Sequence, residues 1–533
     1  MGQNHGYDDK FNAVRISDHK GSRSYLFAIL VFSSVGCALV FLFLLPYRSK
    51  QDDVPSEQSE KLTQKDLAAY RPEIQSPVLI IGLDGADWTP IRKLIARGKL
   101  KTLSHLIKNG VSGPLQSTKP LLSPCIWTSI ATGLKRNKHG VLGFLHKPPG
   151  SLKAIPITSS ARKEAAIWDI FSYFGHTSLI MNYWASFPVI PLKGLQISDR
   201  FTYYSGEGTY PSLMEDELKF LQPAQDHTYI RSFFGFDNKQ PGSKAISGRE
   251  NVIFRTEKVT PFLIQDHFLV KMSLYCLKKY PSSLTFLYFR GLDSLCHNFW
   301  DYHDPTNKKF KTKRPEDEVT VLNDVINRYY EEYDALTKRI LDTFTTTPQV
   351  YILSDHGFEA SGRRTMFLVT NRLLEKAGLL NYKKDGSIDW ARTKVMDFSP
   401  SVFDTERFFY INEIGKFEQG IVTPGKEKQD LVTKLYRLFG NARDRRGAPV
   451  FQFYGKRFPW AETDADFVAE VVYGIVENLD NQIYWNGELI SVSEYFPGHY
   501  CPGGHAEQGI FIAHGPGIRA NVKIQDATIY DIL

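Results

Sequence analysis

A chain of 533 residues with 42% hydrophobic and 23% charged side chains has the makeup of a globular protein with a sizeable core, which excludes wholesale disorder and a collagen-like repeat. Five cysteines exclude a disulfide scaffold, and 65 basic against 58 acidic residues leave a net charge of +7 without a tract of five like charges, so no nucleic-acid duplex is expected as a partner. A mean hydropathy of −0.28 excludes a polytopic membrane protein.

One stretch departs from that average. Residues 25–45 are 21 positions without a charge. As a helix they would reach roughly 31 Å, enough for one bilayer crossing. Pro46, Tyr47 and Arg48 follow, where a cleaved signal peptide would show small residues. Residues 25–46 therefore read as a transmembrane helix, 1–24 as a cytoplasmic tail and 47–76 as a polar tether. Lys10, Arg15, Lys20 and Arg23 precede the span, against Arg48, Lys50 and Lys61 after it, which favours the N-terminus inside. No Asn-x-Ser/Thr acceptor follows the span, so the expected location is a bacterial inner membrane with the body in the periplasm.

From Pro77 on, short apolar runs at 78–83, 177–181, 284–289, 350–353 and 509–513 alternate with helical stretches. Runs of this kind fit a largely parallel sheet covered on both faces, an α/β fold. Residues 77–533 read as one catalytic body. Polar, aromatic-rich stretches at about 200–260 and 380–500 read as insertions that shape a substrate surface.

Ligands of open α/β sheets sit beyond the carboxyl ends of the strands. The run 78–83 leads into Asp84-Gly85, and 350–353 leads into Ser354-Asp355-His356-Gly357. After 284–289 come Asp293 and, four residues on, His297, a spacing that puts both on one helix face within reach of one ion. His505 follows Gly503-Gly504, just before 509–513. Each has an ordinary reading alone: a turn, a cap, a surface pair, a loop histidine. Together they are oxygen and nitrogen ligands for two borderline divalent cations. Ser123, ahead of an apolar helical stretch, reads as an N-cap and equally as a nucleophile, since a helix N-terminus favours anions and a metal would lower the serine pKa.

With these motifs in place the chain resembles the alkaline phosphatase superfamily. Within it, the chain is similar to the type I phosphodiesterase/nucleotide pyrophosphatase family, nearest a bacterial phosphohydrolase/phosphomutase-like branch. The carriers are Ile81-Gly-Leu-Asp84-Gly85, Ser123 nine residues before Thr132-Gly133, His139-Gly140, Asp293-x-x-x-His297, Ser354-Asp355-His356-Gly357 and Gly504-His505. The resemblance implies a three-layer sandwich. It places one metal on Asp84, Asp355, His356 and the Ser123 oxygen, a second on Asp293, His297 and His505, and gives His139 a structural role. Zinc is the implied metal, with manganese the alternative. The implied chemistry is a two-step displacement through phosphoserine on a phosphate ester, such as a nucleotide or a lipid or glycan headgroup. Phosphomonoesterase, phosphomutase and phosphotransferase are the alternatives.

The chain departs from the family pattern at the nucleophile. Ser123-Pro124-Cys125-Ile126 stands where relatives carry Thr-Phe-Pro-Asn, so the asparagine that would hold a phosphoryl oxygen is missing, and Asn182 is the expected stand-in. Arg290 and Lys119 lie near the motifs, where a cation would draw in an anionic substrate. Cys125, Cys296 and Cys501 read as small buried hydrophobes.

Overall fold

A computed structural model describes residues 28–29, 42–43 and 73–533, apart from 149, 153, 203–207, 222–226, 237–245, 311–312, 366–369, 400–404, 457–463, 473–481 and 492–498. Ala28–Ile29 and Leu42–Phe43 pair antiparallel, so these four residues do not form the helix expected over 25–46. An apolar run without periodicity does not by itself distinguish helix from strand. The rest of that segment, the tail and most of the tether lie outside the described residues. Among the described residues no helix is long and apolar enough to cross a membrane.

Residues 71–533 form one compact unit. Its centre is a nine-stranded sheet of β1 (Val78–Leu83), β2 (Val111–Gln116), β3 (Ser178–Tyr183), β4 (Gly194–Ser198), β5 (Thr209–Tyr210), β6 (Leu284–Phe289), β7 (Gln349–Leu353), β10 (Gln508–His514) and β11 (Val522–Lys523). The order is β11-β2-β10-β7-β1-β6-β3-β4-β5. Strands β7, β1, β6, β3 and β4 are parallel. β10 runs antiparallel between β7 and β2. Its first residues therefore reach the edge where the parallel strands end, which is why His505 precedes its strand while the other candidate ligands follow theirs. Between β7 and β10 in sequence lies a two-stranded ribbon of β8 (Gly357–Thr365) and β9 (His499–Ala506).

Alternation sorts each strand onto two faces. Leu79, Ile81 and Leu83 join a core with α1 (Trp88–Ala96), α4 (Glu250–Lys279), α5 (Gly291–His303) and α6 (Val325–Leu341). Ile80, Phe286 and Tyr288 face the other way, onto α3 (Ser123–Thr132), with α2 (Lys101–Lys108) on the first side. The result is the three-layer α/β sandwich. Each fully buried Leu, Ile or Phe contributes about 1.5–3 kcal/mol relative to exposure. Gly82 matters here: a Cβ on it would meet the Trp127 ring at 2.6 Å, so only glycine lets that indole lie against β1.

The two stretches read as insertions are built differently from each other. Phe201, Met214, Leu218, Phe234 and Ile246 all sit in the main core, and α4 starts at Glu250, so 200–260 contributes largely to the core. Its short elements, broken by polar residues, carry too little periodicity to be read as core. The second stretch builds its own core around Leu380, Val395, Phe409, Phe439, Val468 and Trp485. An antiparallel four-stranded sheet (Val395–Asp397, Glu406–Ile411, Phe467–Val471, Phe451–Phe453) carries it with the helix Lys426–Gly440. This subdomain is tied to the residues just after α3 by Arg136, whose guanidinium donates to both Glu406 oxygens, one at 2.9 Å, with both side chains about 6% exposed or less.

Glu406→Gln would leave Arg136 buried without its counter-charge. We expect a loss of about 3–5 kcal/mol in urea denaturation, and a loss below about 1 kcal/mol would show that the pair does not hold the subdomain.

Candidate active site

Strand register brings the motifs together. Leu353 pairs with Gly82 and Phe289 with Leu83, so Asp355 continues level with Asp84 and Arg290 emerges beside them. Backbone ties fix these ends. Gly85 N–H donates to Asp355 Oδ1 at 3.2 Å. Ser354 Oγ donates to the Ala86 carbonyl and accepts from Ile510 N–H, both at 2.8 Å, which joins β1, β7 and β10. Asp87 caps α1 through Thr89 N–H at 2.6 Å and accepts from Phe358 N–H at 3.4 Å, just past His356. Asp266, on α4, accepts from Gly291 N–H at the start of α5 at 2.6 Å and from Tyr329 O–H at 2.7 Å, and so holds the helix that carries Asp293 and His297. A Cβ at Gly291 would strike the Asp266 oxygen at 2.6 Å. Burial pushes the Asp266 pKa up to about 6.

Three histidines are pinned the same way. Nδ1–H of His297 donates to the Gly503 carbonyl at 3.0 Å, that of His505 to Leu121 at 2.9 Å and that of His356 to Gly357 at 3.1 Å. A carbonyl only accepts, so Nδ1 keeps its proton and Nε2 is the atom left to take a cation. The Nε2 atoms of His297 and His505 face each other at 2.9 Å and lie 3.4 and 3.2 Å from Asp293 Oδ1. His356 Nε2 lies 3.5 Å from Asp84 Oδ1, 3.4 Å from Asp355 Oδ2 and 4.0 Å from Asp293 Oδ1. Both His356 Nε2 and Asp355 Oδ2 are buried without a hydrogen-bond partner.

The electrostatics describe a site short of positive charge. Burial, then the Asp293 charge, pushes the Asp84 pKa up to about 7. Burial and the Asp84 and Asp293 charges drive Asp355 well above the carboxylate range. Burial also opposes the Asp293 charge, but His297 and His505 outweigh it and hold that pKa well below the usual value. Burial and the facing His505 hold His356 well below the ordinary imidazole value. Ligand atoms of Asp84, Asp355 and His356 lie within 4.8 Å of one another, and so do those of Asp293, His356 and His505. His297 adjoins the second set. Orphaned buried donors among crowded carboxylates fit two divalent cations with mixed oxygen and nitrogen ligands.

Ser123 is the first helical residue of α3 rather than its cap; Leu122 takes that place. Its Oγ is thus not spent on capping and donates to Asp84 Oδ1 at 3.4 Å. The other Asp84 oxygen accepts from Trp127 Nε1–H at 3.2 Å and from the Tyr288 hydroxyl. Sequence reading missed both aromatics, because each looks like ordinary core; the one usable signal was Trp127 four residues after Ser123, on the same helix face. Asn182 does not turn toward Ser123 on the contacts formed. Its Nδ2 donates to the Tyr288 carbonyl at 3.1 Å and its Oδ1 accepts from Gln265 at 2.9 Å, a wall position. Arg290 donates to Gln265 Oε1 at 2.9 Å and packs over Trp184 and Phe262. Lys119 pairs with Glu507 at 2.5 Å on the surface. Cys125 and Cys296 are buried cysteines outside any disulfide and Cys501 is half-buried.

His139 is a structural residue on these contacts. Its Nδ1 accepts from Val141 N–H at 3.2 Å, so the proton sits on Nε2, which faces Ser129 Oγ at 3.0 Å. Burial, with the nearby Arg136 and Arg162 charges, presses its pKa down to about 3.

A three-layer α/β sandwich with paired carboxylate–histidine clusters and a serine at their shared edge is the arrangement of a metal-dependent phosphoester hydrolase. The model of the type I phosphodiesterase / nucleotide pyrophosphatase family matches residues 78–416, well over half of the chain, and the chain belongs to that family. No curated protein matches. Among solved structures, human ectonucleotide pyrophosphatase / phosphodiesterase 5 has 15% identity and a TM-score of 0.46, covering 86% of this chain and 92% of that one. An inactive murine counterpart in complex with AMP has 15% identity and a TM-score of 0.45, covering 86% and 93%. Phosphonoacetate hydrolase from Sinorhizobium meliloti 1021, in complex with phosphonoformate, has 12% identity and a TM-score of 0.44, covering 86% and 94%.

Two outcomes follow. Metal ions that bind only the folded chain should stabilise it by about 4 kcal/mol at a thousandfold excess over Kd, so chelation should lower the melting temperature and zinc restore it; a melt indifferent to chelator would sink the metal reading. For His139 the folded pKa, about 3, lies below the ordinary 6.5, so stability is complete above 6.5 and falls as pH drops toward 3. His139→Gln should remove about 1.4 kcal/mol per pH unit of that slope in denaturation between about pH 6 and pH 4.

Proposed function

We propose that the protein is a membrane-anchored phosphodiesterase that works through a phosphoserine on Ser123. The observation that carries the reading is the placement of Ser123 Oγ 3.4 Å from Asp84 Oδ1, with Asp84 also facing His356 and Asp355. In this reading Asp84, Asp355, His356 and the serine oxygen would hold one ion, and Asp293, His297 and His505 the other. Zinc is the proposed metal, since three imidazoles suit it, and manganese is the alternative. Bound there, such ions supply Lewis acidity and neutralise charge on the transferring phosphoryl group.

The chain's own part is positioning. Ser123 presents its oxygen at the N-terminus of α3, where aligned N–H groups favour an anion. The serine oxygen bonds to phosphorus as the bond to the first alcohol breaks in line, and the proton lost from Ser123 is matched by one that the departing alkoxide takes up. Water then adds to phosphorus, the bond to Oγ breaks and Ser123 regains a proton. Arg290, at the carboxyl end of β6, is proposed to meet an anionic part of the substrate. The substrate class is a phosphate ester, a nucleotide or a lipid or glycan headgroup. The uncharged residues 25–45 support an anchor through 25–46, with residues 77–533 in a bacterial periplasm.

Ser123→Ala should lower kcat by at least about 10³-fold at metal concentrations that keep both sites filled. Acid quenching during turnover should trap phosphate on the Ser123 peptide in mass spectrometry; steady turnover without it would remove the covalent step. kcat/KM for bis-p-nitrophenyl phosphate should exceed that for the monoester by about tenfold or more, and a reversed order would make the protein a phosphomonoesterase.

A further inference from the structure

We propose that Tyr288, backed by Trp184, is a positioning residue that commits Asp84 to bind its metal ion through Oδ1 alone. The proposal rests on the reading of Asp84 as a ligand.

An indole N–H can only donate. Trp184 Nε1–H donates to the Tyr288 oxygen at 2.6 Å, so the hydroxyl proton is left for Asp84 Oδ2. Trp127 Nε1–H donates to that same oxygen at 3.2 Å. Oδ2 therefore has two donors, both from residues that are almost fully buried. Oδ1 is the oxygen turned to Ser123 Oγ at 3.4 Å and His356 Nε2 at 3.5 Å. A carboxylate held this way cannot rotate to offer both oxygens without breaking two buried hydrogen bonds.

The outer end of the chain is fixed with equal care. Asn182 and Ala185, on either side of Trp184, both take positive φ, 62° and 54°. An alanine in the left-handed region costs on the order of 1–3 kcal/mol and persists only where its surroundings impose it. Here Asn182 Nδ2 holds the carbonyl of Tyr288 itself at 3.1 Å, and Ser186 Oγ accepts from Asp199 N–H at 3.0 Å. The Trp184 ring is half-buried, with Phe144 edge-on at 5.6 Å and the Arg290 guanidinium over it at 5.5 Å. Arg290, Trp184, Tyr288 and Asp84 thus form one continuous line from the substrate side to the metal side.

The test is metal affinity of the full chain, read by competition with a chromogenic zinc chelator, beside thermal melts and steady-state kinetics. Tyr288→Phe deletes one hydroxyl; it should weaken one of the two zinc sites by about 10–100-fold, leave the other unchanged and lower kcat with little change in KM. Trp184→Phe should weaken the same site less, and should add nothing when Tyr288 is already Phe. Should Tyr288→Phe melt out, Trp127→Phe, which removes the other donor to Oδ2, is expected to weaken that same site. Wild-type affinity at both sites in folded Tyr288→Phe and Trp127→Phe would overturn the proposal, as would a zinc-loaded crystal structure with both Asp84 oxygens on the ion. Independent, additive losses from Tyr288 and Trp184 would remove Trp184 from the line. Asp84→Ala separates the two layers of argument: if it keeps both ions, the ligand reading of Asp84 itself fails.

Discussion

Three carboxylates gathered at one sheet edge, two of them shut off from water, are the constraint on which the rest of the structure depends. Two such charges 4 Å apart repel by about 4 kcal/mol at an effective dielectric of 20, before any desolvation is counted. Asp84 and Asp355 respond by moving up toward neutrality, and Asp293 stays ionised on the strength of two imidazoles. The chain sets the imidazoles of His297, His356 and His505 among them. It spends its backbone on holding the cluster open for cations: three carbonyls fix three histidine tautomers, and Ser354 locks three strand ends with one hydroxyl.

That constraint explains features that otherwise look like ordinary packing. Gly82 lets an indole lie against β1 so that its N–H meets Asp84. Asp266 takes on the cost of a buried carboxylate to hold the first turn of α5, because Asp293 and His297 are only as well placed as that helix. His139 stays neutral under α3 and leaves Ser123 on a helix whose interior polar groups are matched. The subdomain around the helix Lys426–Gly440 reaches the catalytic body through a buried ion pair beside the same helix.

Much of the candidate metal cluster was legible because metal chemistry restricts residue type and parallel sheets restrict place. Asp84, Asp355 and His356 follow short apolar runs of the length of buried strands, and Asp293 and His297 are one helical turn apart. An asparagine at a strand end reads alike as a substrate contact or a turn, and the partners of Asn182, Gln265 and the Tyr288 carbonyl, are set by the tertiary structure. The part that 200–260 plays in the main core is not legible, because its short elements separated by polar residues carry little period. Tyr288 and Trp127 were invisible for the opposite reason: an apolar context made them look like core, which they also are.

The sequence by itself determined the fold class, the family, and which chemical groups could hold a cation, since those rest on residue type, local order and short spacing. Only the tertiary structure decided which oxygen of Asp84 is offered, which nitrogen of each histidine is presented and where the second core lies. The physical reason is distance along the chain. Gly85 meets Asp355 across 270 residues and His505 meets Leu121 across 384, and contacts of that span leave no periodicity for a sequence to show.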